Sequence, residues 1–224
     1  MGAYYDDPTT NAGSAYIFRR SGNVWQQEDY FYANDYAAND YFGHAVSIDG
    51  HYAIVGAYGD DVTYTDQGSA YIFKRSGADW VQEAKLTASD REASDQFGID
   101  VSISGDYAVV GAYLEDAKGS DAGAAYIFKR DGSSWSQQAK ITASDGASSD
   151  YFGRSVSISE NRILVGAYLH DANGSNTGAV YVFERDGVSW IQTAKLTPND
   201  LAPGDYFGFP VSQSDNYAAI AAYY

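Results

Sequence analysis

The chain contains no cysteine, which excludes disulfide bonds and thiolate chemistry. It has no apolar run of about 18 residues, the length that a membrane-spanning helix needs, so membrane insertion is not expected. No basic segment followed by an apolar one opens the chain, so no signal peptide is predicted within it. The few histidines, His44, His51 and His170, have no repeated partners, and no G-x-S-x-G motif is present. We therefore expect no enzyme activity.

Basic residues are also few. The chain has 30 acidic residues against 14 basic ones, which gives a formal net charge of −16. Nucleic acid is a poor partner for such a chain, because phosphate binding needs clustered lysine and arginine. A protein or glycan ligand fits the composition better. An acidic surface also suits a salty habitat, so the charge could equally serve solubility alone.

What the sequence does contain is a repeat of 55 residues. A Phe-Gly pair recurs at this interval, and its phenylalanines, which we expect in the core, are Phe42, Phe97, Phe152 and Phe207. Tryptophans recur at the same interval and are expected to pack between repeats; they are Trp25, Trp80, Trp135 and Trp190. The period excludes solenoids with shorter units.

Each repeat predicts four β-strands. In the unit 97–151, residues 97–104 alternate apolar and polar side chains, and residues 107–113 form a continuous apolar run. Residues 124–130 and 134–142 are rich in aromatic and β-branched side chains. Turns rich in Gly, Asp and Ser separate these runs. Four strands in a unit of this length are typical of a propeller blade, so we predict an all-β propeller of four-stranded antiparallel blades.

The chain is predicted to form one domain, residues 1–224. Residues 1–41 supply strands three and four of a half blade, and residues 207–224 supply strands one and two of another. The full repeats are 42–96, 97–151 and 152–206. Pairing of the two half blades would close a ring and cover two free sheet edges. The ring would contain four blades in one chain or eight in a homodimer; a segment of a longer array is the third alternative.

The repeated motifs resemble the FG-GAP repeat. The stretch "FGRSVSISENRILVGAY", residues 152–168, is similar to the repeats of integrin α propellers, and its flanking residues look like the bacterial branch of that family. The resemblance implies a β-propeller fold and a binding or adhesion role. It also implies a secreted or cell-surface location, as part of a longer exported protein.

Two departures from the family pattern affect the expected sites. Tyrosine stands where the family has the proline of Gly-Ala-Pro, at Tyr4, Tyr58, Tyr113, Tyr168 and Tyr223. The D-x-D-x-D-G calcium loops of integrin type are absent, because the turns between strands one and two hold at most two acidic residues. No cofactor is therefore required, and calcium remains only a candidate ligand at other loops.

Strand alternation places the loops between strands two and three on the same propeller face as the crossings from strand four to the next strand one. We call this the loop face. It gathers three rows of aligned aspartates: Asp7, Asp61, Asp116 and Asp171; Asp35, Asp90, Asp145 and Asp200; and Asp40, Asp95, Asp150 and Asp205. The third row is expected to accept backbone N–H bonds in the crossings.

The candidate ligand-binding residues come from this face, because carboxylates and amphipathic tyrosine rings suit recognition surfaces. They are Tyr58, Asp61, Asp90, Tyr113, Asp116, Asp145, Tyr168 and Asp171. The tyrosines could equally be structural. The predicted function is a non-catalytic binding or adhesion module. The alternatives are a lectin-like propeller and a structural unit whose assembly by strand exchange is its role.

The stretch "HDANGSNTG", residues 170–178, resembles a calcium loop at first sight. Its counterpart one repeat earlier has Lys118 at a ligand position, and the spacing does not fit an EF-hand. We therefore predict a hairpin turn. The first aspartate of this loop recurs in each repeat, so Asp61, Asp116 and Asp171 remain the candidate metal ligands.

Overall fold

The computed structural model describes residues 1–6 and 9–223. Within these ranges the chain forms 17 β-strands, and there is no helix that could span a membrane. The strands build three four-stranded antiparallel sheets, preceded by a three-stranded sheet and followed by a two-stranded one. The predicted all-β architecture of four 55-residue repeats is confirmed.

Each full blade contains strands one to four in spatial order. Strands one are β4 (Val46–Asp49), β8 (Val101–Ser104), β12 (Phe152–Ser159) and β16 (Phe207–Ser214). Strands two are β1 (Gly2–Ala3), β5 (Tyr52–Ala57), β9 (Tyr107–Ala112), β13 (Arg162–Ala167) and β17 (Tyr217–Ala222). Strands three are β2 (Ser14–Ser21), β6 (Ser69–Ser76), β10 (Ala124–Asp131) and β14 (Ala179–Asp186). Strands four are β3 (Val24–Phe31), β7 (Asp79–Leu86), β11 (Ser134–Ile141) and β15 (Ser189–Leu196).

The repeated aromatic residues fill the positions predicted for them. Phe97 is fully buried and packs edge to face on the Tyr126 ring at 5.5 Å. Trp190 contacts Tyr107 of the preceding blade at 5.7 Å between ring centroids, so the tryptophan does pack between blades. The exception is Trp25, which is 63% exposed. It lies in the first, three-stranded sheet and lines a cavity of about 390 Å³ between β2 and strands β4 and β5 of the next blade.

Glycines mark the places where consecutive blades touch through their backbones. A Cβ added to Gly56 would lie 2.0 Å from the carbonyl oxygen of Gly98 in the next blade, and Gly111 meets Gly153 in the same way at 1.9 Å. No side chain fits at such a distance. The glycine near the end of strand two, at Gly2, Gly56, Gly111 and Gly166, is therefore a packing requirement where one blade meets the next.

The predicted ring-closing pairs between β17 and β2 are not formed in the described residues. β17 pairs with β16, whereas the edge of β2 is met by β1 through Gly2↔Ala15 and Ala3↔Ser14. A Cβ at Gly2 would lie 1.8 Å from the carbonyl oxygen of Gly43. The equivalent residue of β17 is Ala221, so β17 in the place of β1 would push a methyl group into that oxygen. Closure through a homodimer remains a prediction.

Candidate functional site

The third row of loop-face aspartates is structural, as predicted. Each carboxylate accepts the backbone N–H of the residue three positions earlier, at 2.6 Å for Asp40, 2.7 Å for Asp95 and 2.8 Å for Asp150. These bonds close the crossing between blades. Burial raises the pKa of Asp40 to about 7 and that of Asp95 to about 6.

The second row connects neighbouring blades. Asp90 accepts a hydrogen bond from Lys140 at 2.7 Å, and Asp145 accepts one from Lys195 at the same distance. Desolvation raises the pKa of each carboxyl, but the lysine ammonium outweighs it and the net shift is downward. Asp90 and Asp145, both candidate ligand-binding residues, therefore already bind a lysine, and their negative charge is partly neutralised.

The first row closes the loops between strands two and three. Asp61, Asp116 and Asp171 are exposed, and each accepts the N–H of the residue five positions later, at 2.6, 2.8 and 2.7 Å. Residues 170–178 form the predicted turn. Asp7, the remaining member of the row, lies outside the described residues. Within residues 1–6 and 9–223, no three His, Asp or Glu side chains are grouped to hold a metal ion. Calcium binding here remains a prediction.

The candidate tyrosines come together near the propeller axis with tyrosines that sequence reasoning did not select. Tyr58 stacks on Tyr41 at 5.0 Å between ring centroids, and Tyr151 contacts both Tyr113 at 5.2 Å and Tyr168 at 5.8 Å. We call this group the tyrosine belt: Tyr4, Tyr41, Tyr58, Tyr113, Tyr151, Tyr168 and Tyr206. Three of the additional members, Tyr41, Tyr151 and Tyr206, could have been selected from the sequence, because each of them directly precedes a Phe-Gly pair.

The belt tyrosines that precede Phe-Gly have an unusual backbone. Tyr41, Tyr151 and Tyr206 have positive φ angles of 55°, 56° and 53°, as does Gln96 at 52°. The left-handed region is unfavourable for a bulky side chain and costs about 1–3 kcal/mol. Residues held in this region concentrate at binding and catalytic sites, which makes the belt a candidate contact surface.

Three belt tyrosines, Tyr58, Tyr113 and Tyr168, differ in their hydroxyl groups from two of the fully buried core tyrosines, whereas the third, Tyr126, also has a hydroxyl without a hydrogen bond in the described residues. In the core, Tyr71 donates to Asp60 at 2.9 Å and Tyr181 donates to Asp145 at 2.8 Å. Tyr58, Tyr113 and Tyr168 are half-buried, and their hydroxyls donate to no protein group in the described part of the chain. Burial and neighbouring tyrosines raise the pKa of Tyr58 to about 12, so its hydroxyl stays a donor.

A pocket of about 300 Å³ lies inside the belt, where the four strands one converge. We call it the axial pocket. The residues that follow the four Phe-Gly pairs contribute to its lining, and they are His44, Ile99, Arg154 and Phe209. The Arg154 guanidinium lies over the rings of Phe209 and Tyr113, with Cζ at 4.5 and 5.4 Å from their centroids. The position after Phe-Gly was not selected from the sequence, because a different residue occupies it in each repeat.

Four segments of the chain, residues 25–73, 80–128, 135–183 and 190–224, match the sequence profile of the FG-GAP repeat. The chain belongs to the FG-GAP repeat family. FG-GAP repeats are generally protein-binding or adhesion modules and are typically non-enzymatic. A search of curated proteins found no match to this FG-GAP chain.

Proposed function

We propose that this FG-GAP chain is a non-catalytic binding module that recognises a protein partner through its loop face, with the tyrosine belt as the main contact surface. A secreted or cell-surface location forms part of the same proposal, because adhesion requires the loop face to meet partners outside the cell.

The observation that carries the proposal is the free hydrogen-bonding capacity of three belt tyrosines. Half-buried rings at Tyr58, Tyr113 and Tyr168 present hydroxyls without protein partners in the described residues. Tyrosine supplies large, rigid contact area at low entropic cost and is enriched at protein interfaces. Several such rings around one axis form a continuous surface that can bury an apolar group of a partner.

The aspartates contribute less to recognition than their number suggests. Asp90 and Asp145 are bound to lysines, and buried Asp95 and Asp150 serve the crossings. The carboxylates of Asp61, Asp116 and Asp171 are exposed, and the hydrogen bond that closes each loop uses one of their oxygens. They favour a partner whose contact surface has a basic rim, because opposite charges accelerate association and suppress wrong partners.

The proposal is tested by screening the purified chain against secreted and cell-surface proteins, together with a glycan array. We expect a protein partner whose affinity falls by at least about tenfold when Tyr58, Tyr113 and Tyr168 are changed to Ser. Tyr217→Ser is the matched control, because Tyr217 is 81% exposed at the opposite end of a strand two. Equal losses in both variants would contradict the proposal, and glycan hits alone would favour the lectin-like alternative.

A further inference from the structure

The axial pocket is lined by residues that differ from one repeat to the next, although the strands around it are repeated. The strands one that line it are joined by repeated bonds, in which Ser47 and Ser102 accept the backbone N–H groups of Ile103 and Ile158. The pocket-lining residues after Phe-Gly nevertheless vary between repeats. The axial pocket therefore has a repeated backbone framework but a different side chain from each repeat. A specific ligand site needs this combination of a rigid scaffold and a few distinct polar and apolar groups.

Arg154 differs from every other arginine in the chain. Each of the other seven has a hydrogen bond or ion pair to a protein group; they are Arg19, Arg20, Arg75, Arg91, Arg130, Arg162 and Arg185. In the described residues the Arg154 guanidinium lies over two aromatic rings and forms no ion pair within 4.0 Å. An unpaired guanidinium is unexpected in a protein with 30 acidic residues.

Asp100, a carboxylate that lines the same pocket, has hydrogen-bond donors of its own. It accepts backbone N–H groups from Val101 at 2.9 Å and Val156 at 2.8 Å, and the Ser155 hydroxyl at 3.0 Å. These bonds occupy both of its oxygens; burial raises the pKa of Asp100 to about 6, and the Arg154 charge acts against that rise without forming an ion pair within 4.0 Å. Asp100 is therefore a wall of the axial pocket, and the donors of Arg154 remain available to a ligand.

A second basic side chain, His44, lines the same pocket. Its Nδ1 lies 3.0 Å from the carbonyl oxygen of Ile99, and because a carbonyl only accepts, Nδ1 carries the proton. Its ring lies edge-on to Tyr58 at 4.8 Å. Burial and the Arg154 charge both lower the pKa of His44, so the imidazole is neutral at pH 7 unless an anion enters the pocket.

We propose that the axial pocket binds a carboxylate carried by an apolar or aromatic group, with the Arg154 guanidinium as its direct partner. The planar guanidinium matches the two oxygens of a carboxylate, and surrounding aromatic rings strengthen the pair by excluding water. The volume of about 300 Å³ admits one side chain or a chain terminus. The inference rests on the proposed function, since it names the group that the partner inserts at the centre of the loop face.

The test uses benzoate as the probe and the Arg154 Nε–Hε resonance of the full chain as the readout, at pH 7 and low salt. We expect a saturable shift with benzoate, none with the neutral isostere benzamide, and weaker binding with inorganic phosphate. Arg154→Gln should weaken benzoate binding, then followed through the Tyr58 and Tyr113 ring resonances, by about tenfold or more. Arg20→Gln is the charge-matched control, because Arg20 is exposed and its Nε–H donates to the Gly22 carbonyl oxygen outside the pocket.

Three outcomes would overturn the inference. They are an absent or unsaturable shift in the unmodified chain, equal shifts with benzoate and benzamide, and phosphate binding as tight as benzoate binding. The comparison of benzoate with benzamide needs no variant, so it stands even if Arg154→Gln alters folding. Benzoate binding is measured without any protein partner. If benzoate does not bind, the proposed function is therefore still tested separately by the experiment on the tyrosine belt.

Discussion

The Nε2 atom of His170 lies 2.7 Å from the ammonium nitrogen of Lys195. An ammonium only donates, so the imidazole accepts through Nε2 and its Nδ1–H donates to Asp150 at 2.8 Å. At the equivalent places in the two earlier blades, Asp60 and Glu115 form ion pairs with lysine. The same contact within a blade, from the loop between strands two and three to the lysine of strand four, is thus built with an acid twice and with a neutral imidazole once.

We predict that His170→Leu lowers the free energy of unfolding by about 1–3 kcal/mol, because it removes one of the two donors to buried Asp150 and leaves Lys195 with one partner fewer. His170→Glu, which copies the residue of the preceding blade, should lose less. Urea denaturation followed by tryptophan fluorescence measures both. Equal stability of His170→Leu and the unmodified chain would contradict the assigned network.

We predict that Gly111→Ala is strongly destabilising, by about 3 kcal/mol or more, because the new Cβ would lie 1.9 Å from the Gly153 oxygen and must separate two blades. Gly77→Ala is the control, since Gly77 has φ 70° with no atom within 4 Å of its Cβ position. Gly77→Ala should lower the free energy of unfolding by only about 1–2 kcal/mol, because alanine is unfavourable in the left-handed conformation. Similar denaturation midpoints for the two variants would refute the packing argument.

Stability is expected to fall as the pH rises from about 4 to about 7. Burial raises the pKa of Asp40 from its ordinary 3.8 to about 7, so the folded chain binds this proton more tightly than the unfolded chain. The resulting stability is fully present below about pH 4 and is lost as the pH passes about 7. Asp40→Asn keeps an oxygen that can accept the Ala37 N–H and should flatten the pH dependence of the urea midpoint. An unchanged slope would show that Asp40 does not titrate in this window.

Substitutions of a first-row aspartate can distinguish the effect of its hydrogen bond, which closes the loop, from the effect of its negative charge. Asp116→Asn keeps the acceptor for the Asp121 N–H and should change stability by less than about 0.5 kcal/mol, whereas Asp116→Ala should cost about 1 kcal/mol. Thermal unfolding distinguishes these outcomes. If the two variants unfold at the same temperature, the hydrogen bond has no structural role and the exposed carboxylate is retained for binding alone.

The blade pattern was predictable because its causes are local. Alternation in residues 97–104 and the apolar run 107–113 reflect the burial of strands within one blade, and strands were found at 101–104 and 107–112. The role of Asp95 in its crossing was predictable for the same reason, since its bond spans three residues. The candidate site was predicted less well. Tyr58, Tyr113 and Tyr168 do lie together, whereas Asp90 and Asp145 bind lysines that are 50 residues away in the sequence.

The sequence by itself determined the repeat, the order of the strands, the buried phenylalanines and the face on which the tyrosines lie, because each follows from a fixed spacing along one blade. Only the tertiary structure decided which side chains of different blades meet. The approach of Arg154 to Phe209 and Tyr113, and the steric barrier between Ala221 and the Gly2 site, depend on the rotation from one blade to the next. A period of 55 residues places equivalent residues in equivalent positions, but it does not set the distances between them across the axis.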